Sequence, residues 1–111
     1  MNCLFCSIVE GKIPASKVHE NDSVLAFDDI NPQAPTHVLV IPKAHFENAA
    51  ELAASDAQTL GELFVVARKI ADDRSLTGYR TIFNTGADAG QTVFHAHLHL
   101  LGGRSFTWPP G

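Results

Sequence analysis

The chain of 111 residues has few cysteines, little tryptophan or tyrosine, and no long apolar run. Its two cysteines are too few for a disulfide-dense scaffold. No stretch approaches the ~20 apolar residues that a membrane-spanning helix needs. The first residues also lack the basic start and apolar core of a signal peptide. These absences predict a cytoplasmic protein without a membrane segment.

Positive charge is scarce as well. The 8 Lys and Arg residues against 12 Asp and Glu residues give a net charge of −4, and the basic residues form no run. Affinity for a nucleic acid polymer depends on clustered positive charge, so the sequence argues against such a partner. A few backbone N–H groups and imidazoles suffice to hold one phosphate, so a small nucleotide stays open as a ligand.

The order of the predicted elements indicates an α+β domain over residues 1–111, built on an antiparallel sheet. The apolar content of 45% is enough for a core. A short helix is predicted over 3–9, and the capping-box pattern from Ser55 to Gln58 predicts the start of one long amphipathic helix that ends before Gly78. The periodicity predicts strands over 17–20, 23–27, 37–41 and 79–84.

The most informative feature is the alternation His95-Ala96-His97-Leu98-His99, which follows a glycine-containing loop. Because side chains alternate along a strand, a strand here would place the three imidazoles on one face and Ala96 and Leu98 in the core. Imidazoles need hydrogen-bond partners when they are buried. The plain interpretation is a solvated edge strand. The alternatives are a metal site and a phosphate-handling site.

An imidazole attacks phosphorus when one ring nitrogen is unprotonated and an acceptor holds the other. His97 has a histidine on either side and is best placed for attack, while His99 can donate to a phosphate oxygen. The preceding loop offers backbone N–H groups and the polar side chains of Gln91 and Thr92, which would bind phosphate. His37, on a neighbouring strand, is either a hydrogen-bonded core residue or a group that orients one of these histidines.

The cysteines are spaced as Cys3-x-x-Cys6. No predicted strand precedes them, which argues against a redox pair. They are either two unrelated thiols or half of a structural zinc site. Such a site needs four ligands, and His45 and His95 are the candidates for the other two. The remaining two triad histidines would then stay free for phosphate.

Three longer motifs and an ending cover nearly the whole chain: Phe5–Pro14 (FCSIVEGKIP), Leu25–His37 (LAFDDINPQAPTH), Gly90–Arg104 (GQTVFHAHLHLLGGR) and Trp108–Gly111 (WPPG). With them the chain resembles the histidine triad (HIT) family, and within it the Hint branch in its bacterial form with Cys-x-x-Cys. The resemblance implies a HIT-like fold: an antiparallel sheet of about five strands, one long helix, a short N-terminal helix, and a homodimer that joins two sheets.

The resemblance also implies binding of a purine nucleoside monophosphate and hydrolysis of the bond to its α-phosphate, as in nucleoside phosphoramidates. By position, His97 is the nucleophile that forms a nucleotidyl–histidine intermediate, His99 holds the phosphate and assists the leaving group, and His37 orients His99. The implied nucleotide contacts are Asn84, Gly90, Gln91 and Thr92 for phosphate, Asp29 for ribose, and Phe5, Ile8, Phe27, Ile30 and Leu39 as an apolar slot for the base. Each of those apolar residues is equally suited to be plain core.

For the metal, the resemblance implies zinc bound by Cys3, Cys6, His45 and His95, with no metal required for the chemistry. Asp28 stands where some Hint members carry histidine and would add negative charge near the ribose. Thr92 stands where many carry serine and keeps the hydroxyl. His99, in place of glutamine, argues against a transferase. Three alternatives stay open: a dinucleoside polyphosphate hydrolase, against which the Trp108 ending argues, a nucleotide-binding regulatory module with incidental turnover, and a purely structural zinc protein.

Overall fold

The computed structural model describes residues 3–111, so Met1 and Asn2 of the domain expected over 1–111 lie outside the described residues. Its elements are α1 (Leu4–Val9), β1 (Lys17–Glu20), β2 (Val24–Asp28), β3 (Thr36–Pro42), α2 (Ala49–Ser55), α3 (Ala57–Asp73), β4 (Tyr79–Ile82), a 3₁₀ turn (Ala87–Ala89) and β5 (Leu98–Gly102). Within these residues no helix has the length and apolar character needed to cross a bilayer.

The strands form one antiparallel sheet of five in the order β1-β2-β3-β5-β4. Strands β3 and β5, distant in sequence, pair with Leu39 opposite His99 and His37 opposite Leu101. This register makes His37 and His99 diagonal neighbours on one face of the sheet. The antiparallel sheet with its helices confirms the predicted α+β fold class.

Alternation along the strands divides the apolar side chains between two cores, one on each face of the sheet. The core under α3 contains Val24, Ala26, Val38, Val40, Ala96, Leu98 and Leu100, packed against Leu63, Val66, Ala67 and Ile70. The core under α1 contains Leu25, Phe27, Leu39 and Ile41, packed against Cys3, Phe5 and Ile8. Because His37 and His99 alternate with residues of the α3 core, they lie on the face of the sheet that α1 covers.

Two details of the helices differ from the sequence prediction. A short helix, α2, was not expected, and it begins after Asn48, whose side chain accepts the Glu51 backbone N–H. The N-cap predicted at Ser55 is wrong by one residue. Asp56 is the N-cap of α3, because its carboxylate accepts both the backbone N–H and the hydroxyl of Thr59. Ser55 is instead the last residue of α2.

The histidine strand is shorter than its alternating pattern predicts. Strand β5 begins at Leu98, so the strand prediction was wrong for His95 and His97. The His97 ring bonds to its own backbone, with Nδ1 2.7 Å from the carbonyl oxygen of His95. The N–H of Ala96 donates to the Phe46 carbonyl rather than to a neighbouring strand. The inward alternation still holds for Ala96 and Leu98, because both belong to the core under α3.

Candidate active site

A chain of hydrogen bonds, the histidine relay, runs from Gln33 through His37 to His99. The backbone N–H of Gln33 donates to His37 Nδ1 at 3.0 Å, which leaves the proton of the neutral ring on Nε2. His37 Nε2 lies 2.9 Å from His99 Nδ1, so His37 donates and the proton of neutral His99 is on its own Nε2. His99 Nε2 is buried and has no hydrogen-bond partner among residues 3–111. The relay therefore ends in a buried N–H donor whose hydrogen bond is not made within the described residues.

His97, the middle histidine, is held in the opposite tautomer. Its Nδ1 lies 2.7 Å from the His95 carbonyl oxygen, and a carbonyl can only accept, so Nδ1 carries the proton. Nε2 of the neutral ring then has a free electron pair, as a nucleophile requires. The His97 and His99 rings lie 4.9 Å apart between centroids. An electron pair and an N–H donor are thus presented by neighbouring rings.

Burial keeps these rings neutral at pH 7. It lowers the pKa of His99 to about 4, with repulsion from His97 and His37 adding to the effect. Burial also lowers the pKa of His97, against the opposing influence of its bond to the His95 carbonyl. The pKa of His37 is lowered by burial too, although the Asp29 carboxylate, 3.4 Å from its Nε2, opposes the shift. The site therefore offers neutral imidazoles rather than cations.

A cavity of about 420 Å³ adjoins the relay, and its lining consists of Gln33, His37, Ile82, Asn84, His99, Leu101, Pro110 and Gly111. This volume is within the range of small-ligand sites. Asn84, predicted to contact phosphate, therefore faces the same space as His99. A larger groove of about 770 Å³ elsewhere on the molecule is lined by none of the histidines. The smaller cavity is the candidate ligand site because His37 and His99 line it. His97 is not part of the lining, but its ring lies 4.9 Å from that of His99 between centroids.

The loop before the triad is braced by Gln91, which was predicted to bind phosphate. Its buried side-chain amide makes three hydrogen bonds, to the carbonyls of Glu47 and Val93 and from the backbone N–H of Gly86. The Gln91 side chain therefore holds the loop, and its predicted contact with phosphate stays a prediction. Gly90 closes the turn with a φ of +94°, and the exposed Thr92 follows.

The residues predicted to hold the base are divided between core and surface. Phe5, Ile8, Phe27 and Leu39 are each at most 7% exposed and pack together under α1. Ile30, in contrast, is fully exposed in the loop after Asp29. The Asp29 carboxylate is fixed beside His37, because its Oδ1 accepts the backbone N–H of Asn31 at 2.8 Å. A base bound here would contact the rim of this core and not its interior.

Four potential metal ligands converge on the other side of the triad segment: Cys3, Cys6, His45 and His95, whose ligand atoms all lie within 4.8 Å of one another. Helix α1 brings the thiols together, since Cys3 is its N-cap and accepts the Cys6 N–H at 3.3 Å. The distance from Cys3 Sγ to His95 Nδ1 is 3.4 Å, and the two histidine Nδ1 atoms are 3.2 Å apart. The edges of a tetrahedron with zinc bonds to nitrogen and sulfur are about 3.3–3.8 Å long. The cluster is therefore compatible with zinc.

His95 turns the appropriate nitrogen toward this cluster because its other nitrogen is held. His95 Nε2 lies 2.8 Å from the Pro42 carbonyl oxygen and must donate to it, so the free electron pair is on Nδ1, next to the thiols. Burial, together with the neighbouring Cys3 thiol, raises the pKa of Cys6 to about 11. A bound cation would be needed to hold the Cys6 thiol as a thiolate at neutral pH.

A second group of potential ligands, Asp29, His37 and His99, is unsuited to a metal. His37 Nδ1 already accepts the backbone N–H of Gln33. A metal on His37 Nε2 would leave that ring with no proton at all, as an imidazolate, which is much less stable than the neutral ring. The 2.9 Å between His37 Nε2 and His99 Nδ1 is also a hydrogen-bond distance. This group is a relay and not a metal centre.

Comparison with known proteins identifies the family of the chain that carries these two sites. Residues 2–107 match the family model described as "Scavenger mRNA decapping enzyme C-term binding". A HIT-like protein of Synechococcus elongatus is 51% identical over 109 residues, which cover 97% of this chain and 96% of that protein. The protein belongs to the histidine triad (HIT) family.

Two further HIT-related proteins bear on the sites. The 14 kDa zinc-binding protein of Zea mays is 45% identical over 111 residues, covering 97% of this chain and 87% of that protein. A crystal structure of a HIT family hydrolase from Legionella pneumophila superposes with a TM-score of 0.94 at 50% identity, covering 99% of this chain and 100% of the other. The fold of this chain is therefore that of HIT proteins over nearly its whole length.

The position of Asp28 in the structure differs from the one that the sequence predicted. Asp28, predicted to lie near the ribose, belongs to the opposite face of the sheet from Asp29, because neighbours on a strand alternate. Its carboxylate lies 3.5 Å from the guanidinium of Arg74, just after α3. Arg74 also donates to the Thr36 hydroxyl. The negative charge of Asp28 is thus paired away from the histidines.

Sequence reasoning missed one contributor to this HIT site, the backbone N–H of Gln33. It sets the tautomer of His37 and, through it, that of His99. A peptide N–H is present at almost every residue and leaves no signal in the side-chain pattern. The flanking Pro32 and Pro35 indicate a shaped loop, but they do not indicate which group it presents.

Proposed function

We propose that this protein is a nucleoside phosphoramidase, a hydrolase that cleaves the bond between an amine and the α-phosphate of a purine nucleoside monophosphate. The observation that carries the proposal is the pair of opposite tautomers at His97 and His99, one with a free electron pair and one with an unpartnered N–H. The name of the Legionella hydrolase supports hydrolysis in general. The net charge of −4 favours a small nucleotide over a nucleic acid polymer or a membrane surface as partner.

In the first step His97 Nε2 attacks phosphorus. A bond forms between Nε2 and phosphorus while the bond from phosphorus to the amine breaks, and the departing nitrogen takes a proton from water. The resulting nucleotidyl–histidine carries positive charge on its ring. The Nδ1–H bond to the His95 carbonyl, at 2.7 Å, stabilises that charge as it develops.

In the second step water attacks the same phosphorus. The bond from phosphorus to His97 Nε2 breaks, its electron pair returns to the ring, and the nucleoside monophosphate leaves with the oxygen of the water. The proton that this water releases neutralises the hydroxide left by the first step. His99 Nε2–H donates to a phosphoryl oxygen in both steps, and His37 keeps the His99 ring in the orientation that allows it. Phosphate contacts come from Asn84, Gly90 and Thr92, ribose contacts from Asp29, and base contacts from the rim of Phe27 and from Ile30.

The test is phosphorus NMR of the protein with adenosine 5′-phosphoramidate, beside the variants His97→Ala and His19→Ala. His19 is a matched control because it is a histidine outside the triad. It lies on the edge strand β1, where its ring contacts the side chain of Asn21. We expect AMP from the wild type and from His19→Ala, and none from His97→Ala, which should still bind AMP. Turnover by His97→Ala near the wild-type rate would refute the nucleophile assignment.

Inactive wild-type protein would point to one of the three alternative functions, and substrate choice separates the two that involve a nucleotide. Cleavage of a dinucleoside polyphosphate without cleavage of the amidate would make the protein a polyphosphate hydrolase. Nucleotide binding without any turnover would make it a regulatory module. The same His97→Ala variant, assayed with each substrate, shows whether the triad is involved.

We also propose that Cys3, Cys6, His45 and His95 hold a structural zinc ion, which the name of the maize relative supports. When bound, zinc would join α1 to the loops that precede α2 and β5 and would contribute folding free energy. The nucleophile next to this cluster, His97, needs no metal for the two steps above. Thiols must stay reduced to bind zinc, which suits a cytoplasmic location.

Finally, we propose a homodimer that associates through β4 and the outer face of α3. Strand β4 lies at one edge of the sheet, and Phe64, Val65 and Tyr79 are 44%, 68% and 44% exposed. Sheet edges and exposed apolar side chains mark association surfaces. We expect Val65→Asp to give a monomer in sedimentation experiments, while Ile13→Asp, on another surface, leaves the dimer intact. A monomeric wild type would refute the dimer.

A further inference from the structure

We propose that Arg104 is a positioning residue, which fixes the loop over residues 29–35 so that the peptide N–H of Gln33 keeps donating to His37. Arg104 Nε donates to the Gln33 carbonyl oxygen at 3.1 Å. The N–H of Gln33 then donates to His37 Nδ1 at 3.0 Å, and His37 Nε2 lies 2.9 Å from His99 Nδ1. The catalytic consequence of this role rests on the proposed phosphoramidase function. Its effect on the His37 ring is measurable without turnover.

The middle of the loop needs an external support, because the backbone bond from the Asp29 N–H to the His37 carbonyl, at 2.9 Å, closes only its start. Its tip, Ile30, is fully exposed, and two of its hydrogen bonds join near neighbours, from Asn31 N–H to Asp29 and from the Gln33 side chain to Asn31. Bonds of this kind shape the loop without fixing it to the rest of the molecule. Support comes from the segment after β5 instead, where Arg104 holds the carbonyl of Gln33.

The residue before Arg104 packs against the same loop. Gly103 has a φ of +89°, and a Cβ atom built on it would lie 2.9 Å from Pro35 Cβ. This contact therefore requires glycine, both for the backbone conformation and for the close approach. Together, Gly103 and Arg104 hold the loop at two points, Pro35 and Gln33.

Arg104 is itself held in one orientation. Its guanidinium lies 4.3 Å from the Phe106 ring centroid and donates to the Ser105 carbonyl. Arg80 lies 5.1 Å from the same centroid and donates to the Thr107 carbonyl. Arg80 thus makes the same kinds of contact, but within residues 3–111 it makes no hydrogen bond to Gln33. This difference makes Arg80 a matched control for Arg104.

The Gln33 N–H determines which ring nitrogen carries the proton in His37 and in His99. If that group moves away, His37 is free to carry its proton on Nδ1, and its Nε2 then accepts from His99 instead of donating. His99 would carry its proton on Nδ1 and present an electron pair to the phosphate. An electron pair repels a phosphoryl oxygen, whereas an N–H binds it. Loss of Arg104 should therefore lower kcat more than it raises KM.

The test compares Arg104→Gln with Arg80→Gln in long-range proton–nitrogen NMR spectra, which show which nitrogen of His37 carries the proton. We expect Arg104→Gln to populate the Nδ1–H form of His37. We expect the same variant to lower kcat on adenosine 5′-phosphoramidate about three- to tenfold, with KM changed by less than about twofold. Arg80→Gln should match the wild type in both, and Arg104→Lys should recover part of the kcat.

Two outcomes would overturn the role of Arg104. Equal effects of Arg104→Gln and Arg80→Gln would mean that both arginines only support the fold of residues 103–107. A higher KM with an unchanged His37 spectrum would mean that Arg104 contacts the nucleotide directly. Circular dichroism and sedimentation check that the variants fold and assemble alike.

If Arg104→Gln does not fold, Arg104→Met replaces it, because methionine keeps the length of the side chain but has no donor for the Gln33 carbonyl. An unchanged His37 spectrum in Arg104→Met would count against the role. A wild type without phosphoramidase activity would refute the proposed function. In that case the spectra of His37 still decide whether Arg104 sets its tautomer.

Discussion

Asp28 and Asp29 are neighbours in sequence but face opposite sides of the sheet and meet opposite partners. The Asp28 carboxylate lies 3.5 Å from Arg74, next to the end of α3. The Asp29 carboxylate lies 3.4 Å from His37 Nε2, in the histidine relay. One carboxylate therefore belongs to the scaffold and the other to the candidate active site.

This division predicts different effects on nucleotide binding. Asp28→Asn should leave the affinity for AMP within about twofold of the wild type, because its charge is paired away from the site. Asp29→Asn should weaken binding about tenfold, because the acceptor that we propose for the ribose hydroxyls changes from charged to neutral. Calorimetric titration with AMP measures both variants. Equal losses would contradict the assignment of the two residues to opposite faces.

Removal of both thiols should remove the metal and destabilise the fold. Cys3→Ser with Cys6→Ser should contain no zinc in elemental analysis and should have a Tm lower by roughly 10 °C or more, because a structural metal contributes folding free energy. His19→Ala, a histidine outside the cluster, is the control and should keep its zinc. Wild-type protein expressed with ample zinc but purified without any would refute the zinc site.

Stability should fall as the pH drops from about 6.5 to about 4, in part through His99. Above pH ~6.5 the ring is neutral in both the folded and the unfolded chain, so its contribution is complete. Burial lowers the pKa of folded His99 to about 4, so between these values only the unfolded chain takes up the proton. The full difference amounts to at most about 3 kcal/mol.

The variant His99→Asn isolates this contribution. Urea unfolding of wild type and variant at pH 7.5 and pH 4.5 should show a smaller loss of unfolding free energy in the variant. Metal affinity falls with pH in both proteins alike, so that effect cancels in the comparison. Equal losses would mean that His99 is not held neutral by the fold.

The cap of α3 gives a prediction about stability alone. Asp56→Ala should lower the free energy of unfolding by about 1 kcal/mol, because the Thr59 N–H loses its acceptor. Ser55→Ala, one residue earlier, should change it by less than about 0.5 kcal/mol. Urea unfolding at pH 7.5 checks both variants. A larger effect at Ser55 would return the N-cap to the position that the capping-box pattern predicted.

Much of the fold was predictable because alternation along a strand and periodicity along a helix follow from backbone geometry. The burial of Ala96 and Leu98 and the long helix are examples of such regular patterns. The convergence of Cys3 with His95 was predicted from ligand chemistry and from the family resemblance, and the structure brings the two together. These features depend on residue types, which the sequence displays directly.

The unpredicted features depend on single hydrogen bonds between particular atoms. Strand β5 begins late because the His97 ring bonds to a backbone carbonyl. Ser55 and Asp56 are both good N-cap residues. Asp56 is the N-cap of α3 because its carboxylate accepts two hydrogen bonds from Thr59, one from the backbone N–H and one from the hydroxyl. The role of Gln33 depends on its peptide N–H. Composition and spacing carry no information about such choices.

The metal cluster forms late in folding, because it joins the two ends of the chain. Cys3 and His95 meet across a separation of 92 residues, and contacts so distant in sequence form slowly because a long loop must close first. Phe5 reaches His97, at 5.1 Å between ring centroids, through the same encounter. The surroundings of His97 are therefore completed only when early and late parts of the chain have come together. A partly synthesised chain does not yet have them.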